Sequence, residues 1–556
     1  MHGGFPLARR IGALLPPLAL ALLALLGCNR GLWTPDEPRE AEISREMALA
    51  PGVIPTLNGE RFIEKPPLYY WTVAAVFHLT GGPSVAAARA VSVAAAAATL
   101  ALLVAWGSAA HSRAAGWLAA LMLASSAQFL VSAHWVLIDP LLMLTTTLAA
   151  WSAWELLARR DTGVLRWLFY GALVLALWIK GLIGPVLVCA GLVAYVLIDR
   201  PAHWRRLRPI LGVGVLVLAT LLLGFAIWKQ GGNDALWEWA YVNHVKRLLS
   251  PGATGHRQPL LYYTWTLPYA ILPWLPPLIE ALRPSHWRHV QLAGLPRLSD
   301  PARYGALMSA AMLLLLSLSA TKRETYLLPL LPLLFLWLGI RTFEWWQQWQ
   351  LRDDSWLGGL WWLQVLLLCL IALAAPVGAW IWLGVLKGSV LFALLIALAA
   401  ICPLVYFSAT GQRLRAGPAA LVCGITGGAI VLMLAPMLLN DVKDMAPFVR
   451  RIGAQLPPGQ PVCATGVDET LAAEIPFYTG RAVMPISIDQ LRDPGDSGHR
   501  PEWVLVQDNS SAGADASAGA RQGREASLEP DYTLVDERAF GAHRRLLLWH
   551  RRTSAP

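Results

Sequence analysis

The segment 33–47, Trp-Thr-Pro-Asp-Glu-Pro-Arg-Glu-Ala-Glu-Ile-Ser-Arg-Glu-Met, gathers carboxylates and guanidiniums in one short stretch after an apolar run. Asp36 and Glu40 are four residues apart and Asp36 and Arg39 three, so on a helix they share a face and project together. A second charged stretch, 57–67, ends in Glu64-Lys65-Pro66-Pro67 and is followed by Tyr69, Tyr70 and Trp71. Carboxylates set among cations can orient or deprotonate an attacking group, while the cations hold an anionic ligand and stabilise negative charge that grows on it. Arg39, Lys65 and Arg247 suit the second role, since arginine grips a phosphate through paired donors and lysine acts as a point charge. The plainer alternatives are a solvated loop helix and attraction to anionic lipid headgroups. Asp139, next to Pro140, is read both as a site acid and as a helix N-cap, with His134 five residues before it.

Positioning these residues falls to a membrane scaffold. Of 556 residues, 56% are hydrophobic and 14% charged, too apolar for an ordinary soluble protein. Apolar stretches of spanning length predict thirteen membrane helices near 11–28, 84–109, 114–132, 138–157, 167–180, 182–198, 210–228, 260–282, 303–320, 325–341, 360–383, 389–408 and 417–438. Arg9, Arg10, Arg159, Arg160, Arg200, Arg205, Arg206, Arg208, Arg283, Arg288, Arg297, Arg413 and Arg415 fall on one side, which marks the cytoplasm. The loops 32–67, 134–139, 229–258 and 321–323 and everything after 440 are then external. Those loops, with Arg30 just ahead of the first, nevertheless hold Arg39, Arg45, Arg61, Lys65, Lys246, Arg247, Arg257, Lys322 and Arg323, against the positive-inside tendency, which calls for an anionic ligand. The net charge of +10 is spread over loops rather than along one face, so no nucleic-acid partner is expected.

Leu25-Leu26-Gly27-Cys28 looks like a lipoprotein-type cleavage site, but the many spans that follow favour an uncleaved signal-anchor helix. The six cysteines imply no disulfide framework. Within the first external loop, 35–50 has helix start signals and 68–80 reads as an interfacial helix, so the loop is expected to fold on the membrane surface. Lys180, at the end of an apolar run, is as readily a snorkelling lysine and is not counted as a site residue. After 440 the composition changes to that of a small soluble α/β domain. Strands are predicted near 461–465, 503–507, 532–535 and 545–550, a helix over 468–478 and a flexible insertion over 509–527. This portion carries no motif with evident chemistry. The fold expected is thus mostly α and polytopic, with a transmembrane domain over 1–440 that includes a catalytic loop at 29–83, and a soluble domain over 441–556.

Asp-Glu-Pro-Arg at 36–39, Glu-Ile-x-Arg-Glu at 42–46, Leu-Asn-Gly-Glu at 57–60 and Glu-Lys-Pro-Pro-Leu at 64–68 resemble the first periplasmic loop of the aminoarabinose transferase, or protein O-mannosyltransferase-like, family. Asp139-Pro140, Thr321-Lys322 with Tyr326-Leu-Leu-Pro329, and the layout of thirteen spans with a soluble end extend the resemblance along most of the chain. It implies a GT-C fold and a polyprenyl-phosphate sugar donor handled by Asp36, Arg39 and Lys65, with Tyr326 and Asp139 as further site residues. It also implies a divalent metal, zinc or magnesium, at Glu64 and a histidine of the later loop, His244 or alternatively His256. Two departures stand out: Glu40 replaces a usual Tyr, and Arg323-Glu324 replaces an apolar-Pro pair.

The activity expected is an inverting glycosyltransferase of the bacterial inner membrane, working as a monomer. Its acceptor is a lipid A-like glycolipid or a protein at the periplasmic face. A transporter or flippase of a lipid-linked sugar is the alternative, but it would place ionisable residues near the bilayer midplane in repeated halves, and no repeat is evident.

Overall fold

The computed structural model describes residues 30–158, 161–199, 203–246, 257–283, 300–351, 354–487, 490–491, 500–508, 531–540 and 544–552, with backbone alone for 244–246, 540 and 544. Contacts divide the chain into two compact units, which are taken in turn.

The first unit contains Ile63–Tyr69 and Arg89–Leu434. Among the described residues nine helices are long and apolar enough to cross a membrane: Val85–Ala110, Asp139–Ala158, Gly163–Lys180, Trp204–Asn243, Pro301–Leu318, Glu324–Leu351, Ser355–Leu383, Gly388–Ala409 and Arg413–Lys443. The first and last of these run on into the second unit. The pair Arg113–Ala124 and Ala127–Ala133, bent by 69°, makes a tenth if counted as one span. Ile183–Asp199 is shorter, at 17 residues. The chain is therefore a multi-span membrane protein, mostly helical, as its apolar periodicity predicts.

Two predicted spans need correction. The stretch 260–282 is not one helix: Leu272, Pro273 and Trp274 separate Tyr262–Ile271 from Leu275–Ala281, each too short to span a bilayer alone. Apolar composition carries no signal for that break, whereas the proline, which lacks an amide donor, does. The stretch 114–132 likewise bends at Ser125 and Ser126, whose hydroxyls bond to the carbonyls of Leu121 and Leu123 instead of leaving the backbone ladder undisturbed. The predicted span 11–28 lies outside the described residues, as does the Cys28 site.

Helix ends follow local capping chemistry. Ser112 accepts from the Ala115 amide, Thr162 from Leu165, and Asp354 from Trp356 and Leu357. Small residues let spans approach closely: a Cβ at Gly339 would lie 2.6 Å from the Ala119 Cα, and one at Gly107 2.6 Å from the Gly116 Cα. Tyr304 anchors the interior, its ring set among Trp106, Trp154 and Tyr195 and its hydroxyl donating to the Ala150 carbonyl at 2.9 Å.

The second unit joins 29–62 and 70–88 to 435–556. Its sheet has five strands: β3 (Val462–Thr465), β4 (Val483–Pro485), β5 (Trp503–Asp508), β6 (Tyr532–Phe540) and β7 (Arg544–Arg551), in the order β4-β3-β5-β7-β6. The strand β3 runs parallel to β4 and β5, and β7 runs antiparallel to β5 and β6. Helices Ala446–Gln455 and Glu469–Thr479 contribute Phe448, Val449, Ile452, Leu471 and Ile475 to a core with Val462, Leu505, Leu546 and Leu548. The four predicted strands and the predicted helix are present. The short β4 and the helix Ala446–Gln455 are not among the predicted elements, although Phe448, Val449 and Ile452 recur at helical spacing, and the predicted insertion 509–527 lies outside the described residues.

The N-terminal part of this unit holds the helix Asp36–Leu49 and a hairpin, β1 (Thr56–Leu57) with β2 (Glu60–Arg61). Asn58 and Gly59 form its turn at φ of 53° and 78°, a geometry that favours this residue pair. The turn tip also reaches the sheet edge. Asn58 Nδ2 donates to the Val483 carbonyl at 2.8 Å, and the Val483 amide donates to Asn58 Oδ1 at 3.0 Å. Loop and C-terminal residues thus fold as one body.

Candidate functional site

The loop helix Asp36–Leu49 carries its charges on the buried side, contrary to a solvated surface helix: Asp36, Glu37, Glu40 and Glu42 are all buried. Burying carboxylates is costly unless each is paired. Glu37 is paired with Arg30, whose guanidinium also lies 3.9 Å from the Trp33 ring, and accepts from the Trp33 amide at 2.8 Å. Glu42 takes two bonds of 2.7 Å from Arg45. Burial raises the Glu42 carboxyl to about 7, although Arg45 pulls it down.

Asp36 and Arg39, the pair drawn from helical spacing, do meet. Arg39 Nη2 donates to Asp36 Oδ1 at 3.1 Å and to Glu40 Oε1 at 3.0 Å, and Nη1 donates to Glu469 Oε2 at 3.2 Å. Glu40 Oε2 accepts from the Tyr70 hydroxyl at 2.8 Å. Burial works against the Arg39 charge, but Glu40 and Asp36 more than offset it and hold the guanidinium charged above its usual value. Arg39 therefore fixes the orientation of Asp36, with both terminal nitrogens engaged by carboxylates. Glu40, which departs from the family pattern, is a partner of Arg39 here.

In the first unit a second constellation forms. Asp139 opens its helix and is 6% exposed. Lys180 Nζ, from the last turn of Gly163–Lys180, donates to Asp139 Oδ1 at 2.6 Å and sits 4.7 Å from the centre of the Tyr326 ring. Tyr326 lies on the turn Glu324–Leu330. Asp139 and Tyr326, assigned by resemblance, are thus linked through Lys180, which sequence reading left out. A lysine ending an apolar helix is ambiguous on its own, and its partner 41 residues away is visible only in three dimensions. His134 Nδ1 bonds to the Leu130 carbonyl at 2.7 Å.

Lys65 is partly buried and Glu64 exposed, on the turn before the helix Leu68–Leu79. Arg247 and His256 lie outside the described residues, as does the side chain of His244. Among the described residues no three His, Cys, Asp or Glu side chains converge as metal ligands. The expected metal site, Glu64 with His244 or His256, has its histidine side chain outside the described residues, so no step is derived through a metal.

One buried carboxyl lies apart from these pairs. Glu474, fully buried on the helix Glu469–Thr479, has no hydrogen-bond partner at either oxygen among the described residues. Burial, then Asp444 and Asp468, push its carboxyl well above the usual range, against the pull of Arg538. A carboxyl raised in the folded state adds stability below its unfolded value and loses it as pH rises toward the folded value. Glu474→Gln is expected to raise the melting temperature at pH 8 by at least about 2–4 °C, roughly 1 kcal/mol, and to leave it unchanged at pH 4.5. Thermal unfolding of detergent-solubilised protein at the two pH values checks this.

Comparison with known proteins places these observations in a family context. Residues 20–241 match the family model described as dolichyl-phosphate-mannose-protein mannosyltransferase. The chain is 32% identical over 335 residues to the undecaprenyl phosphate-alpha-4-amino-4-deoxy-L-arabinose arabinosyl transferase of Shewanella sediminis, covering 57% of each. It is 33% identical over 325 residues to the enzyme of the same name from Pseudomonas aeruginosa, covering 55% of each. The chain thus matches just over half the length of these relatives. Its fold is that of ArnT from Cupriavidus metallidurans, solved with undecaprenyl phosphate bound, with a TM-score of 0.74 at 18% identity over 98% of both chains.

Proposed function

We take as premise that the chain is a relative of the aminoarabinose transferase and protein O-mannosyltransferase-like family with a GT-C fold, and propose that it is an inverting glycosyltransferase using a polyprenyl-phosphate sugar. It would act as a monomer in a bacterial inner membrane, with the loop and the C-terminal residues on the periplasmic side. The reading rests above all on Asp36, the acidic residue of the loop motif, held buried against Arg39.

In the proposed reaction an acceptor oxygen bonds to the anomeric carbon from the face opposite the phosphate. The carbon–oxygen bond to the phosphate breaks, and its electron pair goes to the phosphate oxygen, leaving polyprenyl phosphate. Cations that meet this growing charge favour the transition state over the ground state. Lys65, Lys180 and Arg247 are assigned that role, with Tyr326 contacting the donor and Asp139 holding Lys180. Asp36 orients the acceptor. If the acceptor is a hydroxyl, Asp36 also takes its proton, while a lipid phosphate is already anionic and gives up none.

The acceptor is a lipid A-like glycolipid or a protein. Purified protein is incubated with polyprenyl-phosphate sugar and each acceptor, and products are followed by mass spectrometry, with Lys65→Ala as control. Mass gain of one sugar on one acceptor, lost in the variant, is the expected result. The absence of sugar transfer to either acceptor contradicts the proposal. A divalent ion at Glu64 and His244 remains a separate proposal, read from an EDTA arm of the same assay: loss of transfer that zinc or magnesium restores supports it, and full transfer in EDTA removes it.

A further inference from the structure

The side chain of Arg39 is held from two helices. Its Nη2 is shared between Asp36 and Glu40 on its own helix, while Nη1 goes to Glu469, 430 residues further along the chain. The remaining Nε is buried and has no partner among the described residues. Glu469 is the first residue of the helix Glu469–Thr479, and the backbone there is firmly set. Asp468 caps the helix by accepting from the Leu471 amide at 3.1 Å, and its own amide donates to Gln507 Oε1 of β5 at 3.0 Å.

The same helix grips the chain just ahead of Asp36 at both of its ends. The Thr470 hydroxyl donates to the Pro35 carbonyl at 3.4 Å, and the Leu32 amide donates to the Tyr478 hydroxyl at 2.8 Å. Glu469 is thereby presented to Arg39 from a rigid support. Its side chain is 62% exposed, so the pair adds at most about 1 kcal/mol to stability. What it can control is direction, since a guanidinium is planar and two engaged terminal nitrogens fix that plane.

We propose that Glu469 is a positioning residue for the transfer reaction: it steadies Arg39, and Arg39 in turn holds the Asp36 carboxylate in one orientation. This rests on the glycosyltransferase reading and gives the C-terminal residues a task within it. A group misplaced by a fraction of an ångström slows the chemical step without weakening substrate binding.

Glu469→Ala, Glu469→Gln and wild type are compared by kcat, by KM for the polyprenyl-phosphate sugar, by melting temperature and by hydrogen exchange over 36–49. Glu469→Ala is expected to lower kcat about tenfold, with KM changed less than about twofold and the melting temperature within about 2 °C. Glu469→Gln keeps an acceptor oxygen for Nη1 and is expected to retain at least about a third of kcat. Exchange over 36–49 rises in Ala and not in Gln. Wild-type kcat in Glu469→Ala overturns the proposal, as do equal losses in both variants that track melting temperature, or unchanged exchange. If wild type transfers no sugar while exchange still responds, the functional reading fails and the brace between Glu469 and Arg39 stands.

Discussion

Asp36→Asn is expected to lower sugar transfer by roughly 100- to 1,000-fold, about 3–4 kcal/mol in barrier, with little change in melting temperature. Asparagine keeps the size of the side chain and one acceptor oxygen, and Arg39 keeps Glu40 and Glu469, so the loop helix remains paired. What is lost is a charged carboxylate in a fixed orientation. The pH profile of the variant carries further information. If Asp36 acts only as a base for a hydroxyl acceptor, raising the pH supplies alkoxide and recovers part of the rate. If it orients a phosphate acceptor, high pH restores nothing. Unchanged transfer in Asp36→Asn would remove Asp36 from the reaction altogether.

Lys180→Met is expected to cost transfer by about 100-fold or more and also to destabilise the protein, because Asp139 is left buried without its cation. Breaking a buried pair from one side costs about 3–5 kcal/mol, whereas removing both charges is close to neutral. The double variant Asp139→Asn with Lys180→Met separates the two effects. Its melting temperature should return toward wild type while transfer stays at least about 100-fold down, since the cation facing Tyr326 is absent. Recovery of both stability and transfer in the double variant would make the pair a structural feature of the scaffold and nothing more.

The helical scaffold was legible because membrane spans announce themselves by apolar length, and the loop helix because acidic residues at its start and Pro51-Gly52 after its end punctuate it. The bend at Ser125 was not, since a window of apolar residues looks the same whether its backbone is continuous or bent, and the signal for the break at 272–274, its proline, is lost inside such a window. Asp36 and Arg39 could be paired on paper because their partnership is local. Lys180 with Asp139, Asn58 with Val483 and Arg39 with Glu469 are long-range, and no spacing rule reaches them. Polar groups of the loop find C-terminal partners: the Gly31 amide donates to Asp444 Oδ2 at 3.2 Å, where a Cβ would lie 2.2 Å from the other carboxylate oxygen. Glycine at 31 therefore reports a contact that composition alone could not assign.

In the proposed reaction the bond between the sugar and the phosphate is broken and the sugar is moved, rather than the whole lipid being carried across the bilayer. Proteoliposomes holding the purified protein and a polyprenyl-phosphate sugar labelled in the sugar, with acceptor supplied outside, distinguish the two directly. Labelled acceptor with inverted anomeric configuration is expected, with one free polyprenyl phosphate for each sugar transferred and loss of both products in Asp36→Asn. Intact labelled lipid appearing on the opposite leaflet, with no acceptor labelled and no polyprenyl phosphate released, would contradict it.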